Sequence, residues 1–196
     1  MASEHTAGSK ARKTRADADR NRQRLLAAAT GAFAEGGADV SLEEIARRAG
    51  VGIGTLYRHF PTRDALLAEV YQHALRQLAD AAPRLLAELP PIEALRAWMR
   101  LFLDYLATKR VIGPALSATV GGTSALYANS SREIRTAMAL LVDRAVANGD
   151  IKLDIDPLDL LRAVTAVATS AAAADWQDAA RRLIDILIEG LRAGRR

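Results

Sequence analysis

The sequence has no cysteine, which excludes disulfides and thiolate chemistry and fits a reducing compartment. Long apolar runs are lacking as well. The longest charge-free apolar stretch near the C-terminus, residues 163–174, is mostly alanine and falls short of the ~20 residues that cross a bilayer. Basic residues near the N-terminus are not followed by the apolar segment of a secretion signal, so a cytoplasmic protein with no membrane partner is expected. Histidine is scarce: His5, His59 and His73 have no metal-ligand spacing. There is no phosphate-cradling glycine loop and no nucleophile elbow. Asp150, Asp154, Asp156 and Asp159 lack the glycine and terminal glutamate of a calcium loop, which leaves them turn and capping roles. These absences argue against an enzyme and against a metal or other cofactor.

The 196 residues, half of them apolar, suit one large domain or a small domain joined to a larger one. Charge is placed unevenly. Within residues 1–24, Lys10, Arg12, Lys13, Arg15, Arg20, Arg22 and Arg24 oppose only Glu4, Asp17 and Asp19, a local excess equal to the +4 of the whole chain. A basic arm on a neutral body suits a polyanion such as nucleic acid, and equally a solvated tail.

Residues 1–18 are polar and without periodicity, so a flexible arm is expected there. A first helix is expected from about Arg20 to Glu35, capped by Asp19, buried along Leu25, Leu26, Ala29 and Phe33, and ended by Gly36-Gly37. Ser41 and Glu44 have capping-box spacing for a second helix, with Val40 and Ile45 as its staple and Gly50 as its stop. A short third helix, about Gly52 to Phe60, ends before Pro61, and Thr62 caps a fourth that runs to Ala81 or past Pro83. Beyond Pro90-Pro91, helical spacing marks about Ile92–Thr108, a short piece near Gly113–Val120, Ser124–Asn148, Pro157–Ala174 and Asp175–Ala193.

Two short helices joined by a tight glycine-containing turn make a helix-turn-helix, whose second helix can enter a major groove. At 100° per residue, Ile53, Leu56 and Phe60 form the inward face of the third helix. Gly54, Thr55 and Arg58, flanked by Tyr57 and His59, face out and include no acid. Gly52 and Gly54 are poor helix formers, which a close approach of the backbone to another surface would explain, as would tight internal packing.

The stretch Val40-Ser-Leu-Glu-Glu-Ile-Ala-Arg-Arg-Ala-Gly-Val-Gly-Ile-Gly-Thr-Leu-Tyr-Arg-His-Phe-Pro-Thr-Arg-Asp-Ala-Leu-Leu67 resembles the signature of the TetR/AcrR family of bacterial regulators, and the likeness extends from about Arg24 to Tyr71. The resemblance implies that Thr55, Tyr57 and His59 meet DNA backbone and that Arg63 holds a phosphate. It also implies that Ser41 faces the other strand and that Gly52, Ile53 and Gly54 meet base edges. Ile53 can pack on a thymine methyl, but the glycines can form no bidentate pair. Arg58, Arg20, Arg22 and Arg24 are left to supply such contacts. Glu43 departs from relatives that carry a basic residue there.

In the larger body, Leu95, Trp98, Met99, Phe102, Tyr105 and Leu106 keep helical spacing, and Leu101 and Leu103 make that helix apolar nearly all round, hence buried. The resemblance implies a cavity for an apolar or aromatic effector, lined by Trp98, Met99, Phe102, Tyr105, Leu116, Thr119, Tyr127, Met138 and Leu141; plain core is the alternative. Leu161, Val164, Ala168 and Ala171 form one late stripe, and Ile184, Leu187, Ile188 and Leu191 another. By the resemblance they pair with symmetry mates in a homodimer on a palindromic operator; alternatively they pack within one chain. The expected architecture is therefore all-α. A basic arm (1–18) precedes a three-helix DNA-binding domain (19–64) and a helical ligand-binding and dimerisation domain (65–196). The expected function is transcriptional repression relieved by a small molecule, with a ligand-insensitive DNA-binding or chromosome-organising protein as the rival.

Overall fold

The structure, a computed structural model, describes residues 4–117, 124–170 and 175–193, with side chains for 16–117, 130–169 and 175–192. These residues form eight α-helices and no strand: α1 (Glu4–Gly36), α2 (Leu42–Arg48), α3 (Ile53–His59), α4 (Arg63–Glu88), α5 (Pro91–Ser117), α6 (Ser124–Ala147), α7 (Pro157–Ser170) and α8 (Trp176–Ala193). Two expectations change. Helix α1 begins at Glu4, so the described part of the basic arm is helical and Asp19 lies inside the helix rather than capping it. Alanine, lysine and arginine favour helix without any apolar stripe for periodicity to reveal. Helix α5 also runs unbroken through Gly113-Pro114. A proline inside a helix costs about 3 kcal/mol, and full burial of Ile112 and Leu116 on either side of it offsets that cost.

The chain forms two compact units, and the division passes once within α4 and once within α5. Met1–His73 with Val111–Val120 make the first, and Ala74–Arg110 with Gly121–Arg196 the second. The first is built on Leu25, Ala29 and Phe33 of α1, Ile45 of α2, Leu56 of α3 and Leu66, Leu67 and Tyr71 of α4, all buried.

In the second unit Trp98, Phe102 and Tyr105 are buried and stacked in series, with ring centroids 6.1 and 5.9 Å apart. The Trp98 indole Nε1 donates to the Leu78 carbonyl at 2.8 Å, so its one polar atom is satisfied. Helices α5 and α8 are joined by a ladder of charges. Glu93 meets Arg192 at 2.6 Å, Arg96 meets Glu189 at 2.5 Å, and Arg100 meets Asp185 at 2.9 Å. Partial burial pushes the Asp104 carboxyl up from its ordinary value, against the opposing pull of the Arg181 charge. Arg110 then donates to the Ala168 carbonyl and lies over the Trp176 ring. Ile184 and Ile188 of α8 and Leu161, Val164 and Ala168 of α7 are buried within the chain. The inward packing of these two stripes follows from α7 and α8 packing on each other. Leu187 and Leu191 are only half-buried, and Ala171 lies outside the described residues.

Candidate nucleic-acid interface

Helix α2 is set by its ends. The Ser41 hydroxyl accepts from the Glu44 amide at 3.1 Å, a cap that contributes about 1 kcal/mol. The reciprocal half of the box is replaced: the Glu44 carboxylate takes Arg47 Nη2 and Arg48 Nε, each at 2.7 Å. At the other end Gly50 has φ +63, and the Gly50 and Val51 amides return to the carbonyls of Arg47 and Ala46 in a Schellman closure. That left-handed turn lets the chain reverse within Val51-Gly52 and start α3. Thr62 caps α4, its hydroxyl accepting from the Ala65 amide at 3.1 Å.

The hydrogen bonds of Arg47 and Arg48 hold the Glu44 carboxyl well below its ordinary 4.5, at about 2. A folded value below the unfolded one means that ionised Glu44 favours the folded state above about pH 4.5 and that this contribution fades as pH falls toward 2. An NMR titration of the Glu44 carboxyl is expected to show a midpoint near 2, and Glu44→Gln to remove that part of the acid dependence. A midpoint at the ordinary value would mean that the arginines do not hold it in solution.

On α3, Leu56 and Phe60 are buried, as the periodicity requires. Ile53 departs from the inward face: it is 36% exposed, because it stands at the first helical position, where the chain has just turned away from α2. Tyr57 is 46% exposed, Gly52, Gly54 and Arg58 are exposed, and Thr55 and His59 are half-buried. Arg58 makes no hydrogen bond or ion pair among the described residues. A β-carbon added at Gly52 or Gly54 meets nothing within 4 Å, and neither has a positive φ. Internal packing therefore does not account for these glycines.

The other cations are engaged. Arg20 pairs with Asp17, and Arg22 pairs with Glu69 at 3.0 Å while lying over the Phe60 ring at 4.9 Å. Arg24 Nη2 donates to the carbonyls of Ala49 and Gly50 at 2.5 and 3.0 Å. Arg22 and Arg24 thus brace the helix-turn-helix from within, where base contacts were expected of them. Arg63 donates from Nη1 to the Ala38 carbonyl at 2.5 Å and from Nη2 to the Val40 carbonyl at 2.6 Å. Nothing in the isolated sequence signals the carbonyl partners of Arg24 and Arg63, which lie 23 to 26 positions away.

The expected effector set looks different in the structure. Trp98, Met99, Phe102, Tyr105, Met138 and Leu141 are buried, and Leu116 belongs to the first unit. Thr119 and the Tyr127 side chain lie outside the described residues. A groove of about 360 Å³ in the second unit is lined by Ala79, Ala82 and Pro83 of α4 and Arg132, Glu133, Thr136, Ala137 and Leu140 of α6. None of the residues expected from the sequence lines it. Among the described residues no group of acids and histidines could hold a metal ion, and no helix is long and apolar enough to cross a membrane.

Two family models match. Residues 25–70 fit the model for bacterial regulatory proteins of the tetR family, and residues 90–193 fit that of the SbtR-like transcriptional regulator C-terminal domain. The solved TetR transcriptional regulator SCO0520 from Streptomyces coelicolor is 44% identical, with a TM-score of 0.78 over 87% of this chain and 98% of that one. A TetR transcription regulatory protein from Mycobacterium vanbaalenii is 34% identical, with a TM-score of 0.73 over 91% and 99%. The regulator AcrR of Shigella flexneri is 34% identical over 102 residues, 50% of this chain. The regulator SrpR of Pseudomonas putida is 45% identical over 69 residues, 33% of this chain. The matches span 47% and 32% of those two curated relatives. With both parts of the chain matched, and the helix-turn-helix geometry intact between Ser41 and Phe60, the protein belongs to the TetR family of DNA-binding transcriptional regulators.

Proposed function

We propose that the protein is a homodimeric repressor that reads a palindromic operator with α3 and leaves it when a small apolar molecule binds the second unit. The observation that carries the DNA-reading part is the outward face of α3. Tyr57 and Arg58 are exposed there without internal partners, beside two glycines that serve no packing need. In this reading Ile53, Gly52 and Gly54 approach base edges, Arg58 supplies a donor, and Ser41, Thr55, Tyr57 and His59 meet the phosphate backbone.

One seven-residue helix covers too few base pairs for specific binding, so two heads related by a twofold read half-sites about 34 Å apart or a multiple of that. The dimer surface proposed is the outer flank of α8, where Ile186 is 67% exposed and Leu183 and Leu187 are half-buried. The effector site proposed is the groove beside Pro83, at the point where α4 lacks one backbone donor. An effector that binds one arrangement of α4 better than another shifts the population; one with equal affinity for both changes nothing.

A second reading, a regulator that answers to no effector, is favoured by the solid packing of Trp98, Phe102 and Tyr105. Selection of bound duplexes from a random pool tests the first reading, with a twofold-symmetric consensus expected. A consensus without symmetry would sink the dimer, and no enrichment at all would sink sequence-specific reading.

A further inference from the structure

The guanidinium of Arg63 stands in the first turn of α4, where a positive charge is unfavourable to the helix's own dipole. Its placement is explained instead by two carbonyls on the loop before α2. Nη1 takes Ala38 at 2.5 Å and Nη2 takes Val40 at 2.6 Å, in a part-buried fork that brackets Asp39. These are charge-assisted bonds in the planar, two-pronged geometry that only arginine supplies. The loop they fix runs from Gly37, at φ +78, to Ser41, whose hydroxyl is exposed and begins α2. Arg24 does the corresponding work at the far end of α2, on the carbonyls of Ala49 and Gly50. Gly50 has φ +63, the region that favours glycine, and a β-carbon there would fall 2.6 Å from Arg24 Nη2 and displace it. Helix α2 is thus gripped before its start and after its end by arginines from two other helices.

We infer that Arg63 is a positioning residue for DNA binding. It holds the 37–41 loop so that the Ser41 hydroxyl meets the duplex, and it does not itself neutralise a phosphate. The inference rests on the proposed role of Ser41 at the DNA backbone. It is separated from a phosphate contact by the salt dependence, which loss of a phosphate contact would lower and loss of a positioning residue would not. Lysine keeps the charge and reach but cannot bridge two carbonyls with a rigid fork.

The test uses the full-length protein and a duplex that it has itself enriched from a random pool, with affinity measured across a salt series. Arg63→Lys and Arg63→Gln are expected to lose affinity alike, by about tenfold or more. The slope of log affinity against log salt should stay at the wild-type value, and combining either change with Ser41→Ala should cost less than the sum of the single effects. Wild-type affinity in Arg63→Lys, additivity with Ser41→Ala, or a slope smaller by about 0.9 per protomer in Arg63→Gln would each overturn the assignment.

A measurement on the unmutated protein guards against variants that fold poorly. When duplex is added, no coupling between the Arg63 side-chain nitrogens and duplex phosphorus should appear, since their hydrogen bonds are already made; such a coupling would place the guanidinium on phosphate. If the wild type enriches no duplex, the DNA-reading proposal fails and not this one.

Discussion

Alanine in place of Gly54 is expected to make the protein more stable and a worse DNA binder at once. The added methyl meets nothing within 4 Å, and the backbone there is ordinary helix. Removing a glycine from α3 therefore gains up to about 1 kcal/mol, which for a chain of this length raises Tm by about 2–4 °C. On DNA the sign reverses. If the bare backbone approaches base edges, a methyl in that gap costs about 1–3 kcal/mol, the range for overpacking a filled interface. A twofold dimer meets that cost twice, which corresponds to a loss of roughly 30-fold or more in affinity. Thermal denaturation beside an anisotropy titration at fixed salt gives both signs. Higher stability with unchanged affinity would mean that Gly54 faces no DNA.

Ile186→Asp is expected to convert the proposed dimer into a folded monomer that no longer holds the proposed operator. At 67% exposure the isoleucine contributes little to its own chain's core, so helical content should survive the change. Burying such a side chain is worth about 1.5–3 kcal/mol. In a twofold interface the same residue is buried from both chains, and a carboxylate there would be desolvated opposite its own copy. Sedimentation at micromolar concentration should show the monomer mass, with operator affinity reduced toward non-specific levels. Persistence of the dimer would mean that the exposed flank of α8 is not the contact. Ile184→Asp is the informative contrast: that residue is fully buried, and the change should unfold the second unit instead.

What was legible in the sequence was local. The Ser41 cap, the Gly50 stop, the Thr62 cap and the inward Leu56 and Phe60 depend on neighbours within a few residues, and the structure keeps them. Where the outcome depended on distant partners, the pattern could not decide. Arg22, Arg24 and Arg63 were readable only as cations; their destinations are set by Glu69, Gly50 and Val40, brought close by the fold. Gly113-Pro114 has the composition of a break, yet burial of Ile112 and Leu116 keeps α5 continuous. The stripe through Ile184 and Ile188 has the period of an interface, but period alone does not tell an inner face from an outer one. The true outer flank, with Ile186, lies on the other side of the same helix.

The order of signs along α5 and α8 has a consequence for how the second unit can move. Down α5 the sequence is negative, positive, positive, negative (Glu93, Arg96, Arg100, Asp104), and α8 answers with Arg192, Glu189, Asp185 and Arg181. Sliding α8 by one turn, about 5.4 Å, would set Glu93 against Glu189 and Arg100 against Arg181. Ratcheting one element past another is a known way to carry a signal, and here two like-charge pairs disfavour it, although Arg96 would still face Asp185, 3.7 Å away already. Tilting or twisting in place keeps all of these pairs, so the charge order favours rotation of α8 over a one-turn slip.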